Sequence, residues 1–114
     1  MKKTNIVKID SGIKELIPTF IENRQNDILK IGKALSLSDL KTIETIAHKI
    51  AGNAGSYGLD ELGLLGKKLE KHCQEKSVDS ARAIYEEIKD YLKSLEIEFI
   101  WDVFGQVFAK VFLL

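Results

Sequence analysis

Between Ile43 and Tyr57 the apolar positions recur with the period of a helix. At about 100° per residue, Ile46, Ala47, Ile50, Ala54 and Tyr57 fall within roughly 60° of Ile43, one stripe suited to facing a core. His48, Gly52 and Gly55 collect on the opposite flank, at roughly 120–180° on the same wheel. Similar patterning runs through the rest of the chain. Asp10 or Ser11 can cap a short first helix through Leu16. Pro18, the only proline, fits the first turn of a second helix, where its absent N–H is not missed. That helix is predicted to run from Thr19 to near Ala34 with Phe20, Ile21, Ile28, Leu29 and Leu35 on its buried side. Ser36-Leu37-Ser38-Asp39 is a polar break with a ready N-cap for the helix carrying His48, predicted over 39–56. Gly58 ends that helix and Asp60 starts another, in which Leu59, Leu62, Leu65 and Leu69 repeat at helical spacing, so the two form an antiparallel hairpin. After Ser77-Val78-Asp79, the residues Ala81, Ile84, Ile88, Tyr91, Leu92 and Leu95 mark the last helix. No segment alternates with period two over a useful length, so no sheet is predicted. The expected fold is all-α, an antiparallel four-helix bundle with a short N-terminal helix and an additional hydrophobic C-terminal helical segment. Residues 1–9 are read as a loose arm, 10–97 as the bundle and 98–114 as a hydrophobic C-terminal extension.

Glycine at 52, 55 and 58 costs a helix about 1 kcal/mol per position relative to alanine, so their retention points to close approach by another surface. Gly52 lies one turn beyond His48 on the same face, and its missing side chain leaves the imidazole open to a partner. Composition narrows the field. The chain has 114 residues, 45% of them hydrophobic, enough for one core and one domain. Seventeen basic residues balance seventeen acidic ones, so net charge argues for neither nucleic acid nor an anionic membrane surface as partner. Cys73 is the only cysteine, which suits a reducing compartment, and the N-terminus has no apolar stretch of signal-peptide length. A cytoplasmic location is expected. Glu70, His72 and Cys73 resemble a metal trio, but adjacent helical residues diverge by about 100°, so no metal site is expected.

The run His48, Ile50, Gly52, Ala54, Gly58, followed by Leu62, Leu69 and Glu70, resembles the histidine phosphotransfer (HPt) domains of multistep phosphorelays. Leu16-Ile17-Pro18, Phe20-Ile21-Glu22-Asn23-Arg24 and Asp27-Ile28 are similar to that family's first helices, and the likeness covers residues 10–95. One departure stands out: the family usually has a lysine three residues after the histidine, where this chain has Ala51. The resemblance implies that His48 accepts a phosphoryl group from a receiver aspartate or a histidine kinase, hybrid kinases included, and yields it to another receiver. It implies a carrier without kinase activity of its own.

The chemistry of such a carrier sets further requirements. A neutral imidazole is a good nucleophile towards phosphorus at physiological pH, provided the attacking nitrogen keeps its lone pair free. The other ring nitrogen should then donate to an acceptor. Glu70, on the facing helix and at an offset where family members often carry an acceptor, is expected to orient the ring. Phosphoryl transfer is mostly positioning plus electrostatics, and Lys49, Lys67 and Lys68 are the cations in range. Lys49 sits about 100° from His48 on the wheel, whereas Lys67 is placed one turn before Glu70. Gly52 and Gly55 would form the bare face a partner meets. No carboxylate cluster of the chain's own is expected near His48, so no cofactor is expected here and Mg2+ belongs to the partner receiver.

Residues 99–114 hold four of the five phenylalanines and the only tryptophan. As a helix they would be about 24 Å long, short of the roughly 30 Å hydrocarbon core of a bilayer, with Asp102, Gln106 and Lys110 as a narrow polar seam. Three readings stay open: an additional helix packed on the bundle, a homodimer seam, and interfacial membrane attachment, the last disfavoured by the lack of a basic polar face. The tail also sustains a different functional reading, a docking or dimerisation adaptor in which His48 does not turn over.

Overall fold

The computed structural model describes residues 5–100 and 107–112. Four helices form its body: α1 (Ile17–Ser36), α2 (Leu40–Asn53), α3 (Asp60–Gln74) and α4 (Val78–Lys93). The breaks between them are short, so sequential helices run antiparallel, and α4 closes the bundle against α1. The short leading helix is a 3-10 turn at Ser11–Leu16, capped by the Asp10 carboxylate, which accepts from the Gly12 N–H at 2.7 Å. Pro18 lies in the first turn of α1. Asp39 caps α2 by accepting from the Thr42 N–H at 3.2 Å and the Thr42 hydroxyl at 2.6 Å. Gly58, at φ +80, ends the 3-10 turn Ala54–Tyr57 that extends α2 and lets the chain reverse into α3.

The predicted stripes of α2, α3 and α4 are the core: Ile43, Ile46, Ala47, Ile50, Leu62, Leu65, Leu69, Ala81, Ile84 and Ile88 are all buried. In α1 the prediction needs correcting. Leu29 is 72% exposed, and the buried side of the helix instead carries a charged pair, Arg24 and Asp27, between Ile21 and Ile31.

Two further corrections concern the ends of the chain. The residues read as a loose arm include a strand, β1 (Asn5–Asp10), and the expected C-terminal helix is replaced by β2 (Leu95–Ile100) and β3 (Val107–Phe112). The order is β1-β2-β3, with β1 parallel to β2 (Val7 opposite Ile97) and β2 antiparallel to β3 (Glu98 opposite Lys110). The cause is a change of period. From Leu95 the sequence Leu-Glu-Ile-Glu-Phe alternates apolar and acidic residues, and Leu95, Ile97 and Phe99 are 2% exposed or less. A strand turns every second residue to the same face, so the alternation brings three large apolar side chains together that a helix would scatter around its circumference. The Asn5 amide donates to the Ser94 hydroxyl at 2.6 Å, which pins the start of β1 to the end of α4. Ile9 is also buried, and its side chain lies against Gly58, so the sheet covers the end of the bundle where α2 turns into α3. Residues 101–106 and 113–114 of the segment that carries the dimer and membrane readings lie outside the described residues.

Candidate functional site

His48 lies in the second half of α2, on the face opposite the core stripe, with its side chain 77% exposed. What fixes the ring comes from α3, and the approach of α3 is set by two residues without side chains. A Cβ on Gly66 would stand 2.8 Å from the Ala51 nitrogen and 3.1 Å from the Ala47 oxygen, both backbone atoms. One on Gly63 would meet the Ala54 Cβ at 3.8 Å and the Ala51 oxygen at 3.9 Å. Gly63, Gly66 and Glu70 follow one another at helical spacing on this contact row of α3. The close packing therefore carries Glu70 up to the imidazole.

Oε2 of Glu70 lies 2.7 Å from Nδ1 of His48, and the Glu70 side chain is 22% exposed. A carboxylate has only acceptors, so Nδ1 is the donor and the neutral ring keeps its lone pair on Nε2. The structure thus brings together His48 and Glu70, two of the residues singled out in the sequence. Beside them is a shallow hollow lined by Lys41, Glu44, Thr45, His48 and Glu70. Two acids, Glu44 and Glu70, line the hollow. Among the described residues, however, no group of three or more metal-binding side chains converges. Glu44 is also engaged elsewhere, its Oε2 accepting from the Gln74 amide at 3.3 Å.

A Cβ placed on Gly52 would meet nothing within 4 Å, so the bare patch next to His48 opens to solvent. Gly55 is exposed too, its nearest neighbour the Asp60 carboxylate oxygen, 3.6 Å from the position of an added Cβ. The predicted cations do not converge on the ring. Lys49 turns towards α1, where its Nζ is 3.9 Å from Oδ1 of Asp27. Lys67 is exposed on α3 but does not line the hollow. Ala51 is half-buried at the contact between α2 and α3.

The sequence reading missed the scaffold that locks α2 onto α1. Asp27 accepts from Nε of Arg24 at 2.9 Å, and Nη1 of Arg24 donates to Oδ1 of Asn53 at 3.1 Å. The Arg24 guanidinium also covers Phe20, at 4.9 Å, and Phe20 stacks on Tyr57 with ring centroids 4.2 Å apart. Together these contacts tie the C-terminal end of α2 and the turn after it to α1. The available signal was a charged i, i+3 pair inside an otherwise apolar stripe.

On the other flank, His72 pairs with Glu75 at 3.4 Å, and Cys73 is buried. Burial pushes the Cys73 thiol up to about 11, with the charges of Glu44 and Glu70 adding to it. The residues of the suspected metal trio therefore point to separate tasks. No helix among the described residues is long and apolar enough to cross a membrane.

Compared with known proteins, the chain matches one family model, described as Hpt domain, over residues 15–98. No curated protein and no solved structure matches it.

Proposed function

Because this chain belongs to the Hpt domain family, whose members carry phosphoryl groups on a histidine in phosphorelays, we propose that His48 is its phospho-acceptor. The observation that carries this reading is the 2.7 Å contact between Nδ1 and Glu70 on a ring that is otherwise 77% exposed. It leaves Nε2 as the nucleophile on an exposed ring, and one turn further along the helix the backbone at Gly52 is open. Transfer from an acyl phosphate then forms the Nε2–P bond as the P–O bond to the donor aspartate breaks, and the electron pair stays on that carboxylate. The Nδ1 proton remains with the ring, and Glu70 stabilises the imidazolium character that develops.

Receiver domains and histidine kinases are the partner classes of the family. For this chain we assign docking to the face around His48, Gly52 and Gly55, with Mg2+ held by the partner receiver, in the cytoplasm. On this reading the chain is a carrier that supplies an oriented nucleophile and leaves activation of the phosphoryl group to its partner. The test is to incubate the full chain with a phosphorylated receiver and follow acid-labile phosphate on it. Labelling that disappears in His48→Gln is expected. Label of equal extent in the variant would show that another residue accepts the group.

A further inference from the structure

We propose that Lys41 is the cation that holds the phosphoryl group on His48, an inference that rests on the phospho-acceptor reading above. A dianionic phosphoryl group on Nε2 calls for cationic help, yet Ala51 carries no charge, Lys49 is turned to Asp27 and Lys67 lies outside the hollow. Lys41 is the cationic side chain lining the same hollow as His48 and Glu70.

Its position on the helix is consistent with the task. Lys41, Thr45 and His48 follow at i, i+4 and i+7, so they form one row on the exposed face of α2. Helical side chains lean towards the N-terminus, which tilts the imidazole towards Thr45 and Lys41, while the Lys41 stem turns back along the helix to meet it. Seven residues span roughly 10.5 Å along the axis, a separation that the long lysine stem and a ring-bound phosphoryl group cover between them. Lys41 is in none of the ion pairs among the described residues, so no carboxylate has to be given up for it to turn.

The acid in the hollow does not block this. Glu44 is drawn towards α3 by Gln74, at 3.3 Å, and Glu70 is committed to Nδ1. The Thr45 hydroxyl, which donates to the Lys41 carbonyl at 3.1 Å in the unmodified protein, lies between the two and can turn to the same phosphoryl oxygens. In the transfer step Lys41 gives no proton away. Its ammonium donates hydrogen bonds to phosphoryl oxygens while Nε2 displaces the leaving group.

A small donor separates this role from partner docking. Full-length protein is treated with phosphoramidate, and the initial rate of phosphohistidine formation is read by 31P NMR, ammonia being the leaving group. Lys41→Gln should react about tenfold more slowly, the loss expected of one charge-assisted hydrogen bond, with Lys41→Arg restoring most of the rate. Lys33→Gln, on the exposed side of α1, controls for net charge and should match wild type. Lys41→Gln reacting at the wild-type rate, or Lys41→Gln and Lys41→Arg being equally slow, would overturn the assignment of Lys41 alone. A wild-type chain that takes no phosphate on His48 from phosphoramidate or from a phosphorylated receiver would overturn the underlying reading and Lys41 with it.

Discussion

At the scale of single residues, the proposed phospho-acceptor role of His48 makes Glu70 the residue that selects the reacting nitrogen. Removing its carboxylate frees both tautomers and withdraws the counter-charge from the developing imidazolium. Glu70→Ala should therefore slow phosphotransfer by about tenfold, the worth of one charge-assisted hydrogen bond, while leaving thermal stability close to wild type. Paired rate measurements and melting curves check this; a variant with unchanged rate would mean the contact is incidental. Asp39 gives a pH signature at the same scale. Hydrogen bonds from the Thr42 hydroxyl and then the Thr42 N–H hold its carboxyl below the ordinary range. The unfolded chain thus takes up the proton first, and the cap contributes stability above pH ~4 that is lost as pH falls through the lower folded value. In Asp39→Asn the acid limb of a melting-temperature profile should be shallower. Cys73 behaves in the opposite sense, burial holding it neutral, so its alkylation near neutral pH should keep pace with unfolding.

At the scale of elements, the site depends on how closely α3 approaches α2. Gly66→Ala would force a Cβ to within 2.8 Å of the Ala51 backbone nitrogen, and overpacking of that kind costs about 1–3 kcal/mol. The helices would spread, Glu70 would withdraw from His48, and both stability and transfer rate should fall. Gly52→Ala is the contrasting case. Its Cβ meets nothing, so stability should hold or rise by up to about 1 kcal/mol from helix propensity, while transfer from a receiver slows because the bare patch is covered. Equal loss of stability in both variants, by thermal or denaturant unfolding, would contradict this division. Much of the site was legible at this level. The period of residues 43–57 put His48 opposite the core, and the leucine repeat of α3 put Glu70 on the facing helix. The glycines that matter for packing were less legible, because Gly63 and Gly66 act through contacts between helices that the pattern of one helix does not contain. Lys49 was misleading for a similar reason: its partner, Asp27, belongs to α1 and lies buried on a side that reads as apolar.

For the molecule as a whole, the sheet is a structural component of the bundle. Ile97 and Phe99 are buried on it, and truncating either to alanine should cost about 2–5 kcal/mol in denaturant unfolding. The sheet is not legible in the sequence because the alternation from Leu95 to Phe99 is brief and directly follows a helix whose apolar period runs on to Leu95. Parallel pairing with β1 is non-local, joining the two sides of the entire bundle, and local periodicity carries no trace of it. The consequence for function is spatial. The sheet meets the bundle at the turn around Gly58, while His48 lies further back along α2 with its ring exposed.

Phosphotransfer through His48 requires Nε2 to be free while Nδ1 is held by Glu70. The most direct measurement is heteronuclear NMR of the phosphorylated, 15N-labelled chain, correlating the phosphorus with the ring nitrogen that bears it. A phosphorus bonded to Nε2 of His48 is the predicted result. Phosphate on Nδ1 of His48, or on either nitrogen of His72, would contradict it.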